Sequence, residues 1–225
     1  MKNRRDIILS KAVDINAKSY LELGLRNKNA VYNHIPCDIK HSVDINDEFA
    51  TYTMSTDNFF QKLKDSELNL NNDYKWDIIF VDANHLADFV KNDVLNAFNH
   101  LNDGGILFMH DVLPHNYTFQ LETGGNQTAW KAIPYLLKNH PEIHICSIPE
   151  HDGGLGVAIK NPTGNRELLD QNFNPFYEYY IMDSDRKTSQ NEIKYDTLNE
   201  WISNPTYFFS NQTIEHRINM FKTHF

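Results

Sequence analysis

Short apolar runs that alternate with amphipathic helical patterns constrain the fold of this chain more than any other feature. The two most apolar runs are residues 76–82 (WDIIFVD) and 105–110 (GILFMH). Between them, in residues 86–101, apolar side chains recur every three or four positions and mark one buried face of a helix. Because a strand, a crossover helix and a second strand form a parallel pair, this order predicts a doubly wound α/β sheet.

Further apolar runs complete the predicted sheet, and a second helix is predicted to begin at Thr128. The additional strands are predicted at residues 19–25, 40–45, 50–55, 143–148 and 155–160. The last two are separated by PEHDGG, a turn short enough for an antiparallel hairpin. The sequence therefore predicts a Rossmann-like, mostly parallel seven-stranded sheet with a reversed C-terminal hairpin.

The pattern changes after residue 160 and suggests a second unit. Residues 161–225 begin with NPTGN and continue as a polar, aromatic-rich stretch with helical patterns near its end. We expect residues 1–160 to form one domain, because that length can bury its own core. We expect residues 161–225 to form a C-terminal helical extension that serves as a lid or as a homodimer element.

Charge and cysteine content exclude several classes of protein. The 30 acidic residues outnumber the 21 basic ones, so the chain lacks the positive field that nucleic-acid binding requires. Its apolar runs are all shorter than the roughly 20 residues of a membrane span, and the start does not resemble a signal peptide. Cys37 and Cys146 have no ligand-like spacing. We expect a cytoplasmic protein without nucleic-acid or membrane partners.

The first two predicted strands end in residues suited to a nucleotide-like ligand. Glu22-Leu23-Gly24 ends the first, where a glycine lets backbone amides approach an anionic or zwitterionic ligand at the next helix N-terminus. Asp44 ends the second, where a carboxylate can accept hydrogen bonds from ribose hydroxyls. A simple turn and a solvated acid would explain the same residues. The full G-x-G-x-x-G pattern is absent, which disfavours NAD or FAD.

The third predicted strand is followed by a helix-capping sequence. Ser55, Thr56 and Asp57 precede a helix that contains Phe59. An N-cap role for these residues is physically sufficient. The same position is compatible with contact to the edge of an adenine.

Acidic and histidine side chains follow the two most apolar strands. Asp82 ends the fourth strand, and His110-Asp111 ends the fifth, so these groups should meet at the carboxyl edge of the sheet. Together they could provide two oxygens and one nitrogen to an octahedral divalent ion. Alternatively, His110 or nearby His85 could act as a general base, because imidazole titrates near neutral pH.

Five segments, taken in order, resemble the class I S-adenosylmethionine-dependent methyltransferases. They are YLELG, SVDI, MSTDNFF, WDIIFVDANH and LNDGGILFMHD. Within that class the chain is most similar to the small-molecule O-methyltransferase branch that includes catechol, caffeoyl-CoA and macrolide-sugar enzymes. The resemblance covers about residues 18–160, since TAWKAIPYLLKNHPEIHICSI and GLGVAIK are similar to the closing helix and reversed hairpin of that fold.

This resemblance implies a donor site along the first three strands. Glu22 and Gly24 would lie beneath the methionine end of S-adenosylmethionine, and Asp44 would bind the ribose. Ser55 and Thr56 would border the adenine. Arg26 stands where many relatives carry a small residue, and it would add a contact to the methionine carboxylate.

The resemblance also implies a metal site beside the donor. In the metal-dependent branch, the acid after strand four and two residues after strand five bind Mg²⁺ or another divalent ion. Those positions fall on Asp82, His110 and Asp111, and Asp82 also borders the donor. His110 departs from the pattern, because relatives usually carry an acid there.

The predicted function is O-methylation of a small-molecule or sugar hydroxyl, with His110, Asp111 and His85 as catalytic residues. Two alternatives from other classes stay open. One is a nucleotide-dependent oxidoreductase on a similar sheet, which the missing glycine fingerprint disfavours. The other is a non-catalytic module that keeps the cofactor site and binds a partner.

Overall fold

The computed structural model describes residues 3–46, 48–112, 127–140, 143, 145–148 and 153–160. The helices are α1 (Arg4–Asp14), α2 (Thr56–Lys64), α3 (Ala87–Asn99) and α4 (Ala132–Asn139), with short 3₁₀ turns at Tyr32–His34 and Ala129–Lys131. The strands are β1 (Ser19–Leu23), β2 (Ile39–Asp44), β3 (Tyr52–Thr53), β4 (Trp76–Val81), β5 (Leu101–His110), β6 (Ile145–Ile148) and β7 (Leu155–Ile159).

The strands form one sheet in the order β3-β2-β1-β4-β5-β7-β6. Pairing is parallel from β3 through β5, whereas β7 is antiparallel to both β5 and β6. Six of these strands have four or more residues, and β3 adds two residues at one edge. The predicted α/β, Rossmann-like, mostly parallel sheet with an antiparallel C-terminal pair is therefore confirmed. The order changes direction between β1 and β4, where ligands bind in such sheets.

Side chains alternate between two cores on opposite faces of the sheet. Along β4, Ile78 and Phe80 belong to one core, and Ile79 and Val81 to the other, as the two-residue period of a strand requires. Helices α2, α3 and α4 contribute to the core around Ile79. Helix α1 packs on the opposite core. A sheet buried on both faces leaves its edges as the places for ligands.

Helix α1 was not among the predicted elements. It begins after Asn3, whose side chain accepts a 2.9 Å hydrogen bond from the Asp6 amide and so caps the helix. Ile7, Ile8 and Ala12 are buried against the sheet. The capping and packing are modest local signals, and α1 brings its first turn to the functional edge of the sheet.

The expected helix after Gly24 is absent. The chain passes from β1 to β2 through a loop that contains only the 3₁₀ turn Tyr32–His34. Asparagine side chains bond locally there: the Asn29 amide donates to the Asn27 side chain at 3.0 Å, and Asn33 donates to the Asn29 side chain at 2.7 Å. Such bonds compete with helical hydrogen bonding. The prediction of a ligand cradle at a helix N-terminus was therefore wrong.

Two predicted boundaries also differ from the structure. The helix predicted for residues 86–101 ends at Asn99, and Leu101 instead begins β5, pairing with Trp76 across a bulge. The strand predicted for residues 50–55 shortens to β3, because Ser42 and Thr51 exchange side-chain hydrogen bonds with each other's amides at 3.1 and 3.0 Å. Local polar side chains here replace the ladder that the apolar pattern predicted.

The described part of the chain ends at the edge of the sheet opposite the carboxyl ends of the parallel strands. Because β7 runs antiparallel to β5, the Lys160 amide bonds to the Gly105 carbonyl at 3.1 Å, near the start of β5. The predicted extension, residues 161–225, lies outside the described residues. Among the helices described, all are too short or too polar to span a membrane.

Candidate active site

Four polar side chains meet where β4 and β5 end. Nδ1 of His110 lies 3.2 Å from Oδ1 of Asp82 and 3.2 Å from Oδ2 of Asp111. Nδ1 of His85 lies 3.2 Å from Oδ2 of Asp111, and its Nε2 lies 3.6 Å from Oδ1 of Asp82. The two histidines therefore bridge the same two carboxylates. The structure brings together all the residues that the sequence placed at this edge, and we call them the strand-end cluster.

The register of β4 and β5 explains this meeting. Val81 is paired with Met109, so the next residues along each strand, Asp82 and His110, lie side by side. Asp111 then adopts a left-handed backbone conformation with φ of 62°. Aspartate tolerates this conformation better than most residues, and the chain can therefore turn sharply as the strand ends.

His85 is held by the start of α3 and by the segment before α4. The hydroxyl of Thr128 accepts a 2.9 Å hydrogen bond from the Ala87 amide, and the Thr128 amide donates to the His85 carbonyl at 3.0 Å. Thr128 is buried, so these bonds are shielded from water. The predicted helix start at Thr128 thus fixes the loop that carries His85.

Exposure distinguishes the members of the strand-end cluster. The side chains of His110 and Asp111 are 5% and 8% exposed, whereas those of Asp82 and His85 are 18% and 30% exposed. Burial acts to raise the pKa of Asp82, but His110, hydrogen bonds from both histidines and the charge of Arg4 outweigh it and lower that pKa. Asp82 is accordingly an ionised carboxylate near neutral pH.

Arg4 is a site residue that the sequence analysis missed. Its Nε lies 3.9 Å from Oδ2 of Asp82, and its Nη1 lies 3.4 Å from Nε2 of His110. The Asn3 cap followed by an apolar helix face was the only sequence signal for its position. Nothing in that signal indicates which distant residues the first turn would contact.

Gly24 has a positive φ of 90° and packs against the end of β4. A Cβ atom at this position would overlap the carbonyl of Asp82 and crowd Ala83, so only glycine fits. The Asp82 amide also donates to the Leu23 carbonyl at 2.8 Å. Gly24 is therefore required for the close approach of β1 to the backbone that carries Asp82.

Glu22 is a buried carboxyl on β1, near the strand-end cluster. It is 2% exposed and accepts a 2.6 Å hydrogen bond from the Tyr20 hydroxyl. Burial raises the pKa of Glu22 to about 8, with Asp82 adding to the rise and the Tyr20 bond and Arg4 opposing it. Glu22 is therefore protonated over much of the neutral range.

Asp44 organises the loops that follow β1 and β2. Its Oδ2 accepts a 2.8 Å hydrogen bond from the amide of Arg26, and its Oδ1 accepts one of 2.8 Å from the amide of Asn46. Arg26 has a positive φ of 39°, and its side chain is exposed. Ile45 and Phe49 beside this carboxylate are 64% and 66% exposed, an apolar surface next to an acid.

Ser55 and Thr56 lie at the start of α2. The Ser55 hydroxyl accepts a 3.3 Å hydrogen bond from the Asn58 amide, so the predicted N-cap is confirmed. The Thr56 hydroxyl interacts with the buried carboxyl of Asp93 on α3 and lowers its pKa somewhat. These contacts give both residues structural roles at this position.

The strand-end cluster has the composition of a divalent metal site. Asp82, His85 and Asp111 each offer a ligand atom, and these atoms lie within 4.8 Å of one another. Two carboxylate oxygens and one imidazole nitrogen suit several divalent ions. The nitrogen in this group comes from His85, whereas the sequence analysis assigned it to His110.

Residues 18–112 match the family model of a methyltransferase domain. The matched range begins just before β1 and ends just after Asp111, so it contains the Asp44 loop and the strand-end cluster. The chain carries a methyltransferase domain. The predicted membership of the S-adenosylmethionine-dependent, O-methyltransferase-like class is thereby confirmed. Among curated proteins, none matches the sequence.

Solved methyltransferase structures share the fold of this domain. Cofactor-bound Rv0187 from MTB aligns at a TM-score of 0.53 and 12% identity, over 72% of this chain and 82% of that one. The O-methyltransferase of Bacillus cereus with SAH aligns at 0.52 and 12%, over 71% and 82%. TomG of Streptomyces achromogenes, an O-methyltransferase of tomaymycin synthesis crystallised with SAM, aligns at 0.51 and 15%, over 70% and 79%. At such identities the likeness establishes the fold.

Proposed function

We propose that this methyltransferase domain transfers a methyl group from S-adenosylmethionine to a hydroxyl oxygen of a small molecule. The observation that carries the proposal is the position of His85, a partly exposed imidazole between the carboxylates of Asp82 and Asp111 at the carboxyl edge of the sheet. A bound donor supplies an electrophilic methyl on a sulfonium. The protein has to bind, orient and deprotonate the acceptor.

The loops after β1 and β2 support a donor site. Asp44 keeps lone pairs beyond those used by the two amides, as a carboxylate can accept about four hydrogen bonds. Ribose hydroxyls are suitable donors to it. The exposed apolar side chains of Ile45 and Phe49 provide a surface on which an adenine can lie. Glu22 and Gly24 lie toward the methionine end, with Arg26, Ser55 and Thr56 at the rim.

His85 is the general base in this proposal. Its Nδ1 faces the buried carboxylate of Asp111 at 3.2 Å, which fixes the ring and favours the tautomer with the proton on Nδ1. The lone pair of Nε2 can then accept a proton from the acceptor hydroxyl. Asp111 stabilises the imidazolium that forms, and Asp82 provides a second negative charge 3.6 Å from Nε2.

A divalent ion such as Mg²⁺ fits the same residues. Asp82, His85 and Asp111 would hold it, and a bound ion would lower the pKa of the acceptor hydroxyl and fix its direction. The predicted set of Asp82, His110 and Asp111 shares both carboxylates with this one. Since His85 would be a ligand in one case and the base in the other, a metal requirement has to be measured directly.

We further propose a sugar or secondary-metabolite hydroxyl as the acceptor and a cytoplasmic location. TomG, which shares the fold, acts in the synthesis of one such small molecule, tomaymycin. In the proposed organisation, residues 1–160 are the methyltransferase domain with β3 as the seventh strand. Residues 161–225 are a helical lid or homodimer element. No nucleic-acid or membrane partner enters the proposal.

Calorimetric titration with S-adenosylhomocysteine tests the donor site, with NAD as the comparison ligand. Saturable binding of S-adenosylhomocysteine alone is expected, and Asp44→Ala should weaken it at least tenfold. Asp38→Ala is the matched control, because Asp38 is an exposed acid before the opposite end of β2. Binding of NAD instead would favour an oxidoreductase.

An acceptor screen with and without Mg²⁺ then tests transfer to a hydroxyl. Turnover that depends on Asp111 supports the proposal. Tight S-adenosylhomocysteine binding together with inactivity against every hydroxyl acceptor would instead favour a non-catalytic cofactor-binding module.

A further inference from the structure

The first turn of α1 extends the strand-end cluster by one cation. Arg4 is only partly exposed, at 22%, and its guanidinium contacts Asp82 and His110. It is 106 residues distant from His110 in sequence. The remainder of α1 is fixed to the sheet by buried Ile7 and Ile8, so the position of Arg4 is set by packing.

The contact between Arg4 and His110 determines the tautomer of the histidine. A guanidinium has only N–H donors, so the ring nitrogen that faces it has to present a lone pair. That nitrogen is Nε2, 3.4 Å from Nη1 of Arg4. The proton of the neutral ring is therefore on Nδ1, which lies 3.2 Å from oxygens of both Asp82 and Asp111.

We propose that Arg4 is a positioning residue for methyl transfer. By fixing His110 as the Nδ1–H tautomer, Arg4 makes His110 a hydrogen-bond donor that holds the two carboxylates on either side of His85. Arg4 also faces Oδ2 of Asp82, which leaves Oδ1 directed at both histidines. His110 is then a buried support, and His85 performs the proton transfer. The catalytic part of this inference rests on the proposed function.

The tautomer can be read directly from histidine side-chain ¹H–¹⁵N spectra of the full chain at neutral pH. The wild type is compared with Arg4→Met, Arg4→Lys and the matched control Arg5→Met, and His110→Gln assigns the signals. Arg5 is the next residue of the same turn and pairs with Asp6 at 3.1 Å. Its loss removes the same charge without touching the cluster.

We expect the Nδ1–H pattern for His110 in the wild type and in Arg5→Met. Arg4→Met should shift His110 toward Nε2–H or a tautomer mixture, and Arg4→Lys should restore much of the original pattern, because an ammonium also only donates. An unchanged His110 signal in folded Arg4→Met would overturn the proposal. An Nε2–H or imidazolium pattern in the wild type would overturn it as well.

Kinetics distinguish a positioning role from a purely structural one. In Arg4→Met we expect kcat to fall roughly tenfold or more, as for other residues that orient a catalytic group, with S-adenosylhomocysteine affinity within about twofold of wild type. Equal kcat in Arg4→Met and Arg5→Met would contradict the catalytic part. Failure of the wild type to bind S-adenosylhomocysteine would instead contradict the proposed function, while the spectra still decide the tautomer.

Discussion

The hydroxyl of Tyr20 donates a 2.6 Å hydrogen bond to Glu22, two positions further along β1, and both side chains are buried. The pair places a carboxyl of raised pKa beneath the carboxyl edge of the sheet. Residues two apart in a strand share a face, so the pairing follows from the strand itself. Its energetic consequence depends on how completely the fold excludes water from it.

Stability should depend on pH through Glu22. Its pKa rises from 4.5 in the unfolded chain to about 8 in the fold, so the stabilisation is complete below pH 4.5 and is lost as pH rises through about 8. Wild type should therefore lose about 2 kcal/mol or more relative to Glu22→Gln between these limits. Urea unfolding across this range measures the difference. A constant gap between the two proteins would contradict the prediction.

Asp93 should destabilise the fold at alkaline pH. It is 1% exposed on α3, and among the described residues neither of its carboxylate oxygens has a hydrogen-bond partner. Burial raises its pKa to about 7, so ionisation above that pH costs free energy. Asp93→Asn should stabilise the protein by about 1–3 kcal/mol at pH 8, with little difference near pH 4. Asp88→Asn, at an exposed site of the same helix, is the control in thermal unfolding.

Asp77 should have the opposite pH dependence. Its Oδ2 accepts hydrogen bonds of 2.8 and 3.0 Å from the amides of Lys18 and Ser19, and its Oδ1 accepts one of 2.8 Å from Asn102. Burial alone would raise its pKa, but these bonds outweigh burial and lower it. The stabilisation is present above the unfolded pKa of 3.8 and is lost as pH falls through the lower folded pKa.

The variant Asp77→Ala should therefore lose about 1–3 kcal/mol at neutral pH and become less distinguishable from wild type in strong acid. Guanidinium unfolding at a series of pH values measures this change. Asp73→Ala, an exposed acid nearby, should show no such loss. A gap that widens as the pH falls would be inconsistent with the hydrogen-bond pattern.

Asp111 should separate catalysis from donor binding. Its carboxylate contacts both histidines but lies after β5, away from the Asp44 loop. Asp111→Ala should reduce kcat by about 100-fold or more, because the base loses its orienting partner. The affinity for S-adenosylhomocysteine should change by less than about twofold. Single-turnover assays and calorimetry measure the two quantities, with Asp38→Ala as the control, and parallel losses in both would refute the separation.

The sequence by itself determined the sheet and the place of the site. Apolar runs with a period of two or without interruption identified β4 and β5, and the acids directly after them had to emerge at one edge because the strands are parallel. The N-cap at Ser55 was also predictable, since capping depends on residues adjacent in sequence. These features follow from local patterns combined with one rule of topology.

Only the tertiary structure decided the contacts within the site. The approach of Arg4 to His110, the exchange of His85 for His110 among possible metal ligands, and the burial of Asp93 all depend on packing between distant elements. Local asparagine bonds also replaced the helix expected after Gly24. Periodicity specifies which face of an element is buried. The partner that a polar side chain meets there is set by three-dimensional packing, to which a single sequence gives no direct access.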